Sequence, residues 1–280
     1  MVTLLGKLLL ETVQITLLVG VMMVAVDLLN IWTNKRVGAF LQGKSRWRNY
    51  LVPSLIGTVP GCIGGFTNVS LYMHGLISFG ALAGSMIAVS GDEAFVMLAM
   101  FPKEAVLLFG ILFVVGVLGG WVIDGAVKKF HIRTCENCGD MTTHSSERSA
   151  AHYFKVHFYK HIVKKHLWKT ALWTFGALAV VEVGLHYLHL EEFTSQYKIA
   201  FLLLGALVGL IPESGPHLIF VTLFAQGLIP FSVLLTSSIV QDGHGMLPML
   251  SFSLGDSAKL KLFNLAIGLT VGSAFFAAGY

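Results

Sequence analysis

Two stretches decide the fold: GLISFGALAGS at residues 75–85 and GLIPFSVLLTS at residues 227–237. They lie on one another, without a gap, at a shift of 152 residues. The same shift carries Pro60 onto Pro212, and Val69, Leu71, Gly91, Met97 and Leu98 onto identical residues. Farther along, Gly116 and Gly120 fall on Gly268 and Gly272. Two apolar segments matched by composition alone would not place Pro and Gly in register so often, so the chain reads as an internal duplication.

Composition says what is duplicated. Of the 280 residues, 55% are hydrophobic and only 12% charged, with a mean hydropathy of +0.75. Soluble domains carry roughly 25% charged residues, so most cytosolic enzymes, nucleic-acid binders and disordered proteins are excluded. What remains is an all-α polytopic membrane protein whose partners are the lipid bilayer and a small ion or solute, with no nucleic acid. Apolar stretches fall at 4–32, 51–73, 75–89, 94–101, 105–127, 167–189, 199–225, 227–240, 245–254 and 260–278. The first contains Glu11, Gln14 and Asp27 and has no small-residue cleavage site, so it reads as a retained helix.

The basic residues are grouped. Residues 33–50 hold Lys35, Arg36, Lys44, Arg46 and Arg48 and no acid; residues 128–169 are rich in Lys and Arg; Lys259 and Lys261 add to them. The positive-inside rule makes both loops cytoplasmic. Both termini and the acidic turn at Glu191 and Glu192 then lie outside, in a multi-pass protein of the plasma (inner) membrane. The chain divides into membrane repeat 1 (1–128), a cytoplasmic His/Cys-containing loop (129–166) and membrane repeat 2 (167–280). Each half starts on the opposite side, so the two repeats are inverted in topology. Inverted repeats with broken helices are the architecture of secondary transporters.

A crossing needs roughly 20 residues, and 75–89, 94–101, 227–240 and 245–254 are shorter. They read as two re-entrant hairpins, with tips at Ser90-Gly91-Asp92-Glu93 and Gln241-Asp242-Gly243-His244. Ten crossings with short, tilted helices are the alternative. Charge counting does not separate the two.

Candidate site residues sit where the helices should break. Pro60, Gly61 and Cys62, followed by Asn68 and His74, match Pro212, Glu213, Ser214, Gly215 and His217 in the second half. Pro removes a helix donor and Gly loosens the backbone, freeing polar groups to face a ligand; a plain proline kink is the alternative. Asp92, Glu93, Gln241, Asp242 and His244 mark the tips. Carboxylates beside imidazole suit a divalent metal or a proton relay, whereas ordinary turns in water would explain them structurally. Asp27 and Glu182, each in an apolar helix, are candidates for proton coupling or for helix-end residues near the headgroups. In the central loop, Cys135 and Cys138 form C-x-x-C ahead of His144, soft ligands for a divalent metal. The following Phe154–Trp168 segment reads equally as a basic interfacial helix.

The stretch GLIPESGPHLIFVTLFAQGLIPFSVLLTSSIVQDGHGMLPML, residues 209–250, resembles the ten-helix heavy-metal or arsenical exporters, also called manganese transporters. The resemblance covers both membrane halves, and the joining loop is similar in kind. In that family a Gly-Cys-Gly pattern follows the second-half proline. Here the stretch is Glu213-Ser214-Gly215, and the thiol stands in the first half at Cys62. The resemblance implies a proton-coupled secondary exporter of a divalent heavy metal or metalloid, manganese- or arsenical-type, in which the two halves rock around a shared site; self-association as a homo-oligomer is compatible with it. The alternative is a carrier or flippase for a small anion or lipid phosphate. No Lys or Arg is expected deep in a span, which counts against it. An enzyme is not expected: His-Glu-x-x-His, Gly-x-Ser-x-Gly and a P-loop are all missing.

Overall fold

A computed structural model describes residues 6, 9, 10, 12–17, 47–61, 63–73, 75–134, 168, 171, 172, 174–176, 178–180 and 196–280. Asp27, Cys62, His74, Cys135, Cys138, His144 and Glu182 lie outside the described residues, and so does the side chain of His244. Every regular element described is helical. The first half contributes α1 (Arg48–Gly57), α2 (Ile63–Met73), α3 (Phe79–Ala88), α4 (Glu93–Met100) and α5 (Pro102–Lys129). The second contributes α6 (Lys198–Gly209), α7 (Leu218–Ala225), α8 (Phe231–Val240), α9 (Met246–Phe252) and α10 (Leu254–Ala277). Short 3-10 turns at Gly215–His217 and Gly243–Gly245 precede α7 and α9. The stretches Phe79–Met100, Pro102–Lys129 and Leu254–Ala277 are each long and apolar enough to cross a membrane.

The segments expected to fold back run from one end of the bundle to the other. Asp124, near the end of α5, accepts the Gly80 amide at the start of α3 at 2.8 Å. Phe101 alone separates α4 from Pro102, the first residue of α5. From Pro102 to Asp124 is 22 residues of continuous helix, about 33 Å at ~1.5 Å per residue. The start of α3 and the end of α4 are therefore a bilayer's thickness apart. In the second half the Phe231 ring packs on Phe275 near the end of α10 (6.2 Å), while α9 ends just before α10 begins. The reading of 75–101 and 227–254 as re-entrant hairpins is thus corrected. Each runs the length of the bundle as a helix interrupted midway.

The segments that fold back are instead those around Pro60 and Pro212. The Asn68 amide donates to the Pro53 carbonyl at 2.9 Å, and Gly64 lies so close to the Ile56 carbonyl that a Cβ would collide with it. The indices fall on α2 as they rise on α1, so the two helices are antiparallel. Tyr50 and Ser78 both donate to the Asp124 carboxylate, at 2.8 and 2.5 Å, so the chain returns to the level at which it left. Helix α1, with 10 residues, spans only ~15 Å, half the hydrocarbon core of ~30 Å. In the second half Gly205 on α6 faces Phe220 on α7, and the Phe224 ring meets Phe231 at the start of α8 (6.0 Å). The tight joints explain why the sequence misled. A re-entrant pair and a broken crossing have similar lengths and the same Pro and Gly punctuation.

The two hairpins open toward opposite ends of the bundle. The first opens beside Asp124. There Tyr72 donates to Asp256 at the start of α10 (2.8 Å), and Lys259 donates to the Arg133 carbonyl at 2.5 Å. The basic segments ending at Arg48 and beginning at Lys128 therefore share an end with Lys259. The second hairpin opens at the other end, an aromatic one: Phe101 meets Phe224 at 5.0 Å, and Phe275 meets Tyr280 at 6.1 Å.

Close glycine contacts recur at the 152-residue shift. A Cβ on Gly57 would sit 3.4 Å from the Ala88 Cβ, and one on Gly209 would sit 2.7 Å from the Cβ of Val240, its counterpart. Gly116 against Ala88 repeats as Gly268 against Val240, and Gly120 against Gly84 repeats as Gly272 against Thr236. Small residues let helices approach closely where lipid offers no hydrophobic drive. What each glycine would strike differs. At Gly84 it is backbone, the Gly116 carbonyl and the Gly120 Cα, whereas at Gly272 it is the Thr236 side chain, whose hydroxyl is bonded to the Ser232 carbonyl. Gly84→Ala is therefore expected to cost ~1–3 kcal/mol as an overpacked contact, and Gly272→Ala less. Thermal unfolding in detergent measures both, and equal midpoints would refute the distinction.

Candidate functional site

Four interruptions of helix converge inside the bundle: residues 58–61, 89–92, 210–214 and 241–245. Gly61 donates its amide to the Gly91 carbonyl at 3.0 Å, tying the first hairpin's tip to the first broken crossing. The Gln241 amide donates to the Val89 carbonyl at 3.2 Å, which joins the two halves at repeat-equivalent positions. Gly91 and Gly243, also repeat equivalents, face one another. A Cβ on either would lie within 3.5–3.8 Å of the other's Cα. Ser214 stands against both, its Oγ 2.7 Å from a Cβ on Gly91 and 3.0 Å from one on Gly243. Gly65 and Gly245 touch similarly, at 2.9 Å. Both Gly91 and Gly243 have positive φ, 58° and 52°, which L side chains adopt at a cost. The turns between helix pieces therefore require glycine.

Polar atoms gather here without partners. Ser90 Oγ, Ser214 Oγ, Gln241 Oε1, His217 Nε2, Glu93 Oε2 and Asn68 Oδ1 are buried and make no hydrogen bond. Each interior polar atom left so costs stability, and a bound solute would supply what they lack. His217 is oriented by its other ring nitrogen, 3.0 Å from Ser237 Oγ on α8.

The structure distributes the expected residues unevenly. Asp92 and Glu93 are buried at the start of α4, next to Gly61. Asn68 uses its amide to hold the hairpin closed. Pro60, Gly61, Pro212 and Gly215 flank the hairpin tips as expected, with Gly61 at φ 98°. Glu213 is partly exposed, on a tight turn whose amide bonds the Ile211 carbonyl at 2.8 Å. Asp242 is fully buried, and it is held by Lys261 Nζ (2.6 Å) and by the Asn264 amide (2.9 Å). Among the described residues no three of His, Cys, Asp and Glu come together as a metal-holding group. Of the expected set of Asp92, Glu93, Glu213, Asp242 and His244, the first two stand together at the start of α4, Glu213 and Asp242 lie on other elements, and the His244 side chain is outside the described residues.

Lys261 corrects the view that no cation lies deep in a span. Its sequence neighbourhood groups it with Lys259 at the basic end, yet it sits two turns into α10, about 11 Å from Leu254. The signal was present: Lys261 falls inside the apolar stretch 260–278, and Asn264 follows at i+3 on the same face. Ser237 carries no signal in the sequence, and Ser90 reads there only as part of a turn, because hydroxyls in apolar helices commonly bond their own backbone.

Fold and site define a class: a polytopic, all-helical membrane protein with an interior polar site built by broken helices. A family model described as "Putative, 10TM heavy-metal exporter" matches residues 10–187 and again 159–277, and the chain belongs to that family. The family is one of membrane transporters rather than enzymes. No curated protein and no solved structure matches the chain.

Proposed function

We propose that this protein is a secondary active exporter of a heavy metal or metalloid species, whose substrate binds where the four helix breaks meet. The convergence of those breaks on unpartnered buried atoms of Ser90, Ser214, Gln241 and His217 is the observation that carries the reading. Irregular backbone at membrane depth is tolerated where it lines a site. The inverted-repeat reading is supported by hairpins that open to opposite ends and by repeat-equivalent residues meeting at the centre. Alternating access then exchanges the bonded end at Tyr72, Asp256 and Lys259 with the aromatic end at Phe101 and Phe224. With the basic end cytoplasmic, the Tyr72–Asp256 bond is the contact that must break to open that side.

Asp92, Glu93, Glu213 and His217 are the ionisable groups placed to contact the substrate or its protons. Asp27 and Glu182 are candidates for coupling. Cys135, Cys138 and His144 would capture metal at the cytoplasmic surface. The anion-carrier alternative gains nothing from Lys261, whose ammonium is committed to Asp242 and to two backbone carbonyls. Uptake into everted membrane vesicles tests the reading. Mn²⁺, Cd²⁺, Zn²⁺, arsenite and phosphate are each offered with and without a protonophore. We expect protonophore-sensitive uptake of a metal or metalloid species; uptake of phosphate alone would replace this reading with the anion carrier.

A further inference from the structure

We propose that Lys261 is a tethered monovalent cation, and that its ammonium fills a site which in its absence would bind free Na⁺ or K⁺. The site is built from oxygen. Lys261 Nζ meets Asp242 Oδ2 at 2.6 Å, the Gly209 carbonyl at 2.9 Å and the Val240 carbonyl at 3.3 Å. Three donors on the ammonium meet three acceptors. The two carbonyls are not arbitrary. Gly209 is the last residue of α6 and Val240 the last of α8, so both are acceptors that a helix C-terminus leaves without an intrahelical partner. Both lie at the negative ends of helix dipoles, which favour a cation. Asn264 fixes Asp242 through its other oxygen at 2.9 Å. Asp242 is fully buried and Lys261 is 12% exposed, so water supplies little screening.

The arrangement joins a hairpin tip, a broken crossing and α10, the three elements that must move together if the second half rocks as a unit. Only that half has it. The positions 152 residues earlier are Ser90, Phe109 and Leu112 in place of Asp242, Lys261 and Asn264. A cation supplied by the chain never dissociates, so the second half keeps its charge balance through the whole cycle without Na⁺ or K⁺. The cation site rests on geometry alone, whereas this consequence for transport rests on the exporter reading above.

The test reads stability and needs no transported substrate. Lys261→Ala empties the site; Lys261→Met fills its volume without charge. Unfolding midpoints are taken in NaCl, KCl and NH₄Cl against choline chloride at equal ionic strength, choline being too large to enter. We expect the Lys261→Ala midpoint to rise saturably with at least one small cation. Lys261→Met, wild type and Lys261→Ala/Asp242→Asn should show no such rise. A Lys261→Ala midpoint indifferent to the cation overturns the proposal. A second measurement needs no variant: wild-type stability and vesicle uptake should be unchanged when Na⁺ and K⁺ are replaced by choline. A requirement of wild-type stability for either ion also overturns it, and a requirement of uptake alone overturns the consequence for transport.

Discussion

Asp242→Asn is expected to be among the most destabilising single substitutions in the chain. It leaves the Lys261 ammonium buried against two carbonyls, with no negative charge to oppose it. Removing one member of a buried ion pair typically costs ~3–5 kcal/mol, because the other charge stays desolvated. The double variant Asp242→Asn/Lys261→Met removes both charges and keeps the volume, and exchange of a buried pair for uncharged groups is often close to neutral. The single variant should therefore unfold far below wild type and the double variant close to it. Midpoints in detergent decide. Single and double variants of equal stability would mean that the pair is not desolvated as the structure places it.

Gly91→Ala should abolish or severely slow export while leaving the helices formed. Its φ of 58° adds ~1–2 kcal/mol for any residue with a Cβ. The new Cβ would also stand 2.7 Å from Ser214 Oγ, closer than atoms tolerate. A cost of 1.4 kcal/mol is about tenfold in an equilibrium, and here it falls on the contact between the two halves. Gly243→Ala meets the same hydroxyl at 3.0 Å with φ 52° and should behave alike. Gly91→Ala/Ser214→Gly relieves the contact but not the backbone cost, so it should recover partially. Gly110→Ala is the control, because nothing lies within 4 Å of its Cβ. Vesicle uptake and far-UV helix content separate loss of transport from loss of fold. Wild-type uptake by Gly91→Ala would show that this contact does not shape the site.

Much of this was legible in the sequence. The 152-residue repeat located all four breaks, because Pro60, Pro212, Gly91 and Gly243 are required by local backbone geometry that a sequence displays directly. The grouping of Arg48, Lys128 and Lys259 at one end also followed from their spacing, and the structure brings them together through Lys259 and Arg133. Which segments fold back did not follow. That depends on whether α3 and α4 continue past α5, and nothing in 75–101 alone records it. The charge state of the site was misread for a related reason. Lys261 looks like an end-of-helix cation until Gly209, Val240 and Asp242, 52, 21 and 19 residues away in sequence, are seen to surround it.

The central claim is that the unpartnered atoms at the helix breaks await a substrate. Ser90→Ala and Ser214→Ala test it most directly, singly and together, by measuring unfolding midpoint and vesicle uptake on the same preparations. Each substitution removes a buried oxygen that has no hydrogen bond, so stability should hold or rise, while uptake of the exported species should fall. That opposition of stability and activity marks a site kept polar for binding. Uptake unchanged in the double variant, or a stability loss with uptake per folded molecule intact, would contradict the placement of the substrate at the meeting of the four breaks.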